Sequence, residues 1–152
     1  MQRIQSFQID HDLLDPGIYV SRVDGDITTY DLRTRKPNAG DYMDNVTMHS
    51  VEHMIATFIR NSSIADQVIY FGPMGCQTGF YLLIRNADND VVLATLKTML
   101  QQVIDHEGLV FGASQKECGN YRNLDIECAK RECRRYLDCL NAKPTHDFTY
   151  AQ

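Results

Sequence analysis

Several things are missing from this chain, and each absence removes a class of function. No segment approaches the roughly 18 consecutive apolar residues of a membrane-spanning helix, so the sequence predicts no membrane insertion. No block of lysine and arginine stands out and the net charge is -5, which argues against a nucleic-acid surface. The basic run near Lys130 to Arg135 is interleaved with acids and reads as a solvated helix face. Met1 to Asp10 lacks the apolar core of an export signal. The five cysteines are an odd number, which excludes a fully paired intrachain framework, and the expectation is reduced thiols in a cytoplasmic protein. No linker or internal repeat divides the chain, so residues 1–152 read as a single domain, long enough to bury a core.

The elements follow from short-range patterns. Phe7 and Ile9 alternate with polar neighbours and predict a short strand. Pro16-Gly17 marks a turn, and Ile18 to Val23 with Ile27 to Arg33 form two strands around the hairpin dipeptide Asp24-Gly25. After a loop containing Pro37 and Gly40 comes a helix capped by Thr47 and stopped at Asn61. Val68 to Phe71 and Phe80 to Ile84 are strands, Asp90 to Asp105 is a second helix, and Asp125 to Leu140 is a third. Lys143 to Gln152 is polar and reads as a frayed tail. Strands and helices mix without a repeating βαβ rhythm, which points to an α+β fold, an antiparallel sheet packed with helices in two layers.

The first helix carries His49-Ser50-Val51-Glu52-His53. Histidines four apart point the same way on a helix. Val51, Met54, Ile55, Phe58 and Ile59 share one arc, while His49, Glu52, His53, Ala56 and Thr57 share the other. The first arc explains folding against a core; the second offers two imidazoles and a carboxylate to a metal. A solvated polar face would also look like this, and a catalytic divalent site usually has three protein ligands, one more than the helix supplies. Two further stretches are unusual. Pro73-Met74-Gly75-Cys76-Gln77-Thr78-Gly79-Phe80-Tyr81 places a thiol among glycines at a strand entrance, and Lys116-Glu117-Cys118-Gly119 places another in a loop. Cys128, Cys133 and Cys139 lie within the third helix and make no metal spacing with one another.

The combination and order of these pieces, with Ser6-Phe7-x-x-Asp10-His11 and Tyr30-Asp31-Leu32-Arg33…Pro37-Asn38, closely resembles the S-ribosylhomocysteine lyase (LuxS) family. The resemblance implies a metal held by His49, His53 and Cys118, with water or substrate in a fourth position, and an acid/base pair of Glu52 and Cys76. It matches Ser6, His11 and Arg33 to substrate-contacting positions, some of which reach a site across a homodimer interface. It implies one divalent metal per subunit, Fe(II) by preference, with Zn(II) or Co(II) also suited to the ligands. Three residues depart from the pattern it suggests: Tyr70 stands where an aspartate is usual, Gly72 where a serine is, and Thr34 where an aromatic is.

The reaction so implied moves the carbonyl of a ribose along the chain until a C3 ketone acidifies the C4 proton. Homocysteine then leaves from C5, with 4,5-dihydroxy-2,3-pentanedione, the autoinducer-2 precursor, as the other product. Each step removes or returns a proton beside a carbonyl, which calls for a Lewis acid and two acid/base groups. Two other readings remain at this level. A small metallopeptidase would use Glu52 to activate water, and a metal-binding homologue without activity would keep the fold alone.

Overall fold

The computed structural model describes all 152 residues. Four strands form one sheet in the order β1-β2-β4-β3, every neighbouring pair antiparallel. They are β1 (Gly17–Asp24), β2 (Ile27–Arg33), β3 (Val68–Pro73) and β4 (Gly79–Arg85). Three helices, α1 (Asn45–Arg60), α2 (Asn89–Asp105) and α3 (Ile126–Asn141), cover one face of it. The α+β reading holds.

Alternation along the strands decides which face the helices cover. Tyr30 and Leu32 on β2 and Phe80, Leu82 and Ile84 on β4 are at most 2% exposed and meet Val51, Met54, Ile55 and Ile59 of α1 within one core. Helix α2 adds Val92, Leu96, Met99, Leu100 and Val103, and α3 adds Ala129, Cys133, Tyr136, Leu137 and Leu140. Asp31 and Arg33 point to the other face of β2. Both are nonetheless buried, so something covers them.

That cover corrects the reading of the C-terminal segment as frayed. The Phe148 carbonyl accepts a hydrogen bond from the Val20 amide on the β1 edge, and the Phe148 side chain is buried against Tyr30. Tyr150 stacks on Tyr19 with ring centroids 5.0 Å apart and donates its hydroxyl to Asp31 at 2.8 Å. Two aromatics in a polar stretch were enough to dock it.

Other local expectations shift as well. The segment around Phe7 and Ile9 is no strand; it forms a 3-10 turn at Gln5–Phe7 and a second at His11–Leu13, the latter capped by Asp10, which accepts the Asp12 amide. The β1–β2 loop is Gly25-Asp26, one residue later than expected, since Asp24 pairs with Ile27 and Gly25 takes φ +60°. Helix α1 is capped by Asp44, which accepts the Thr47 amide at 2.8 Å, so Thr47 lies inside the first turn; the Thr47 side chain first, and its amide second, lower the Asp44 pKa. Asn61 ends the helix as expected. The basic run on α3 is not wholly solvated, because Glu132 is buried in an ion pair with Arg35.

Candidate metal centre and active site

The apolar arc of α1 locks the helix onto the core, which fixes the opposite arc. His49 and His53 therefore stand together, with ring centroids 4.7 Å apart. The 3-10 turn Tyr121–Asn123 and the loop before it bring Cys118 to both rings. Its Sγ lies 3.4 Å from His49 Nε2 and 3.6 Å from His53 Nε2. One donor atom from each residue falls within 4.8 Å of the others. A tetrahedral ion with metal–nitrogen distances of about 2.0–2.1 Å and metal–sulfur of about 2.3 Å puts nitrogen and sulfur about 3.6 Å apart. The three side chains fit a metal.

The far side of each ring makes the same point. His53 Nδ1 lies 2.8 Å from the Phe111 carbonyl and His49 Nδ1 lies 3.2 Å from the Asn123 carbonyl. A carbonyl only accepts, so His53 Nδ1 carries the proton and its Nε2 presents a lone pair toward Cys118; His49 Nδ1 also meets the Asn123 side-chain nitrogen at 3.3 Å, and its Nε2 faces the same sulfur. The Asn120 amide donates to Cys118 Sγ at 3.4 Å, a hydrogen bond suited to a thiolate. Glu52, half-buried on the same helix, has no hydrogen-bond or ion-pair partner, so its carboxylate is free to serve a ligand.

Cys76 belongs to a second group. It is exposed in the β3–β4 turn, with Sγ 3.0 Å from Thr78 Oγ1 and 3.8 Å from Arg33 Nη1. Arg33 also donates to Thr78 at 2.7 Å and is held by Asp31 through two hydrogen bonds, at 3.1 and 2.7 Å. Burial works against its charge, but the Asp31 carboxylate outweighs it and raises the guanidinium pKa. Cys76 and His11 line one cleft of about 270 Å³, with Asn38 and Tyr42 across it. Ser6 lines another, of about 300 Å³, together with Tyr70 and Tyr81.

The structure therefore gathers His49, His53 and Cys118 into one cluster and places Cys76, Arg33 and His11 in another. No hydrogen bond or ion pair joins them, and Arg33 lies on the sheet face opposite the helix that carries the histidines. Reasoning from sequence missed Asp31, Thr78 and the two carbonyl partners. The i, i+2 spacing of Asp31 and Arg33 on one strand was a usable signal for the first; no residue type marks a backbone carbonyl.

The sequence model of the family described as S-ribosylhomocysteinase (LuxS) matches residues 4–146. A Borreliella afzelii protein named S-ribosylhomocysteine lyase is 42% identical over 147 residues, 93% of this chain and 94% of its own. A Finegoldia magna protein of the same name is 40% identical over the whole of both chains, and one from Clostridium acetobutylicum is 43% identical over 93% of each. On the extent of the match and the identity to full-length relatives, the chain belongs to the S-ribosylhomocysteinase (LuxS) family.

Proposed function

We propose that this protein is a carbon–sulfur lyase that cleaves S-ribosylhomocysteine to homocysteine and 4,5-dihydroxy-2,3-pentanedione. The observation that carries the reading is the His49, His53 and Cys118 cluster, whose nitrogen lone pairs and sulfur converge at metal-ligand spacing within the matched stretch. A divalent ion held there, Fe(II) in our reading, would supply Lewis acidity for the substrate's carbonyl and hydroxyl oxygens.

The remaining chemistry falls to two side chains. Cys76 acts as a thiolate that removes and returns protons at carbon while the carbonyl migrates from C1 to C3. The Arg33 guanidinium, with Nη1 3.8 Å from its sulfur, is the cation that faces it. Glu52 moves protons on and off the substrate oxygens and takes part in the elimination, which breaks the C5–sulfur bond and leaves its electron pair on homocysteine. His11, in the cleft with Cys76, and Ser6, in the neighbouring one, bind the sugar and its amino-acid arm. Arg33 acts from beneath Cys76, where it is 2% exposed.

The reading takes the working form as a homodimer. Within one chain the acid/base thiol and the metal ligands form separate groups, and Phe7, Leu13, Tyr42 and Tyr70 are large exposed apolar or aromatic side chains around the N-terminal turns and the Cys76 loop. A second copy packed over that surface would bring the thiol of one subunit to the ligands of the other. No helix is long and apolar enough to cross a membrane; we place the protein in the cytoplasm.

Anaerobic incubation of the Fe(II)-loaded protein with S-ribosylhomocysteine, with released homocysteine followed by a thiol reagent, tests the activity. Release by the wild type and loss in Cys76→Ala and Glu52→Gln, both retaining metal, is the expected result. No release from the folded, metal-loaded protein would overturn it.

A further inference from the structure

The segment after α3 crosses the β1 edge, with Phe148 in the helix-side core beside Tyr30 and Tyr150 on the sheet face away from the helices, against the group that contacts Cys76. Tyr150 Oη donates to Asp31 Oδ2 at 2.8 Å. The same oxygen accepts from Arg33 Nη2 at 2.7 Å, and Arg33 Nη1 reaches Thr78 Oγ1 at 2.7 Å and Cys76 Sγ at 3.8 Å. Asp31 and Arg33 are 1% and 2% exposed, so Tyr150 supplies the one donor to this buried carboxylate besides the arginine. The Tyr150 ring is fixed in turn by its stack on Tyr19 and by the Phe148 carbonyl on the β1 edge. Residue 150 lies outside the stretch, 4–146, that the family's sequence model matches.

We propose that Tyr150 is a positioning residue for Cys76, holding the Asp31 carboxylate so that the Arg33 guanidinium stays against Thr78 and the thiol. This rests on the reading of Cys76 as an acid/base group, but its physical content is the reactivity of one sulfur.

The direction follows from electrostatics. Without the Tyr150 hydroxyl, Asp31 leans wholly on Arg33 and draws the cation toward itself, while its own charge is less shared. Both changes lower the positive potential at Cys76 Sγ and disfavour a thiolate there. The charged and titratable groups around the thiol are Arg33 and Asp31 from β2, Tyr81 from β4, His11 and Tyr42 across the cleft, and Tyr150 itself. Only Tyr150 is altered in the test.

The test is the rate of Cys76 carboxamidomethylation by iodoacetamide against pH in the metal-loaded full chain, followed by mass spectrometry of the Cys76 peptide. Tyr150→Phe keeps the stack on Tyr19 and removes only the hydroxyl; Thr149→Ala, at the exposed residue beside it, is the control. Tyr150→Phe should move the half-maximal pH upward and slow alkylation at pH 7 by roughly three- to tenfold, with an unchanged melting temperature and an unchanged Thr149→Ala profile. A structural role alone would lower melting and leave the profile in place, which overturns the proposal, as does a profile identical to wild type. If Tyr150→Phe fails to fold, deletion of residues 149–152, which keeps the Phe148 carbonyl on β1, is read the same way. Alkylation does not require turnover, so a Cys76→Ala variant that still released homocysteine would sink the acid/base reading and leave this result standing.

Discussion

His53 Nδ1 lies 2.8 Å from the carbonyl oxygen of Phe111, and the residue after that carbonyl, Gly112, has φ +71°. A Cβ at position 112 would sit 3.2 Å from the same ring nitrogen. The carbonyl fixes the tautomer of His53, and the left-handed glycine lets the backbone come that close. Gly112→Ala therefore strains the backbone and pushes the ring off its axis at once. Metal affinity, measured by competition with a chromophoric chelator, should fall about 10- to 100-fold. An unchanged affinity would show that the carbonyl does not orient the ligand.

Tyr70 and Gly72 are two departures from the family pattern that turn out to be neighbours on one face of β3. The Tyr70 hydroxyl and ring lie over Gly72, where a Cβ would collide with them. Tyr70 is 51% exposed, so it can swing aside at modest cost. Gly72→Ser should change stability by less than about 1 kcal/mol, yet displace Tyr70 from the cleft it shares with Ser6. Changes in kcat/KM for Gly72→Ser and Tyr70→Asp should be non-additive in the double variant by about 0.5 kcal/mol or more. Strict additivity would mean the two departures are independent.

The division between what could and could not be read from sequence runs along these contacts. The periodicity of α1 placed its core stripe correctly, because burial imposes it directly. His49 and His53 were visible as an i, i+4 pair, but Cys118 is a neighbour only because the loop before α3 folds back 65 residues later, and only the resemblance paired them. The Asp44 cap and the Thr47 expectation differ by three residues because both side chains can cap and the carboxylate reached the amide. Docking of Phe148 in the core beside Tyr30 and of Tyr150 on the far face escaped notice because two aromatics among polar residues leave no periodic trace.

Glu132 and Arg35 join α3 to the loop that borders the Cys76 cleft. Their side chains are 4% and 13% exposed, and the guanidinium grips the carboxylate at 2.5 to 3.2 Å while also holding Asp41. Removing one partner of a buried pair leaves the other charge uncompensated. Glu132→Ala should cost about 3 kcal/mol by urea denaturation, at the low end for such pairs because Asp41 remains as a partner. A cost below about 1 kcal/mol would mean that Asp41 alone satisfies the arginine.

Stability should fall on the alkaline side for a reason written into the tyrosines. Burial raises the pKa of Tyr19 and of Tyr30 to about 12 and drives those of Tyr136 and Tyr150 up as well. Each of the four donates its hydroxyl hydrogen, to Asp15, Asn89, Gly17 and Asp31 respectively, a bond that a phenolate cannot make. An unfolded chain releases these protons near pH 10, while the folded chain keeps them. Below pH 10 both states are protonated and the contribution is fully present; as pH rises from about 10 to about 12 the unfolded state gains by losing protons and stability drains away. Tyr136, fully buried, would by itself give a slope of about 1.4 kcal/mol per pH unit across that window. Urea midpoints taken from pH 8 to 11.5, with phenolate absorbance followed in parallel, should hold level to pH 10 and then drop as absorbance rises together with unfolding. Phenolate appearing in full while the protein stays folded would mean that these hydroxyls are not holding the fold.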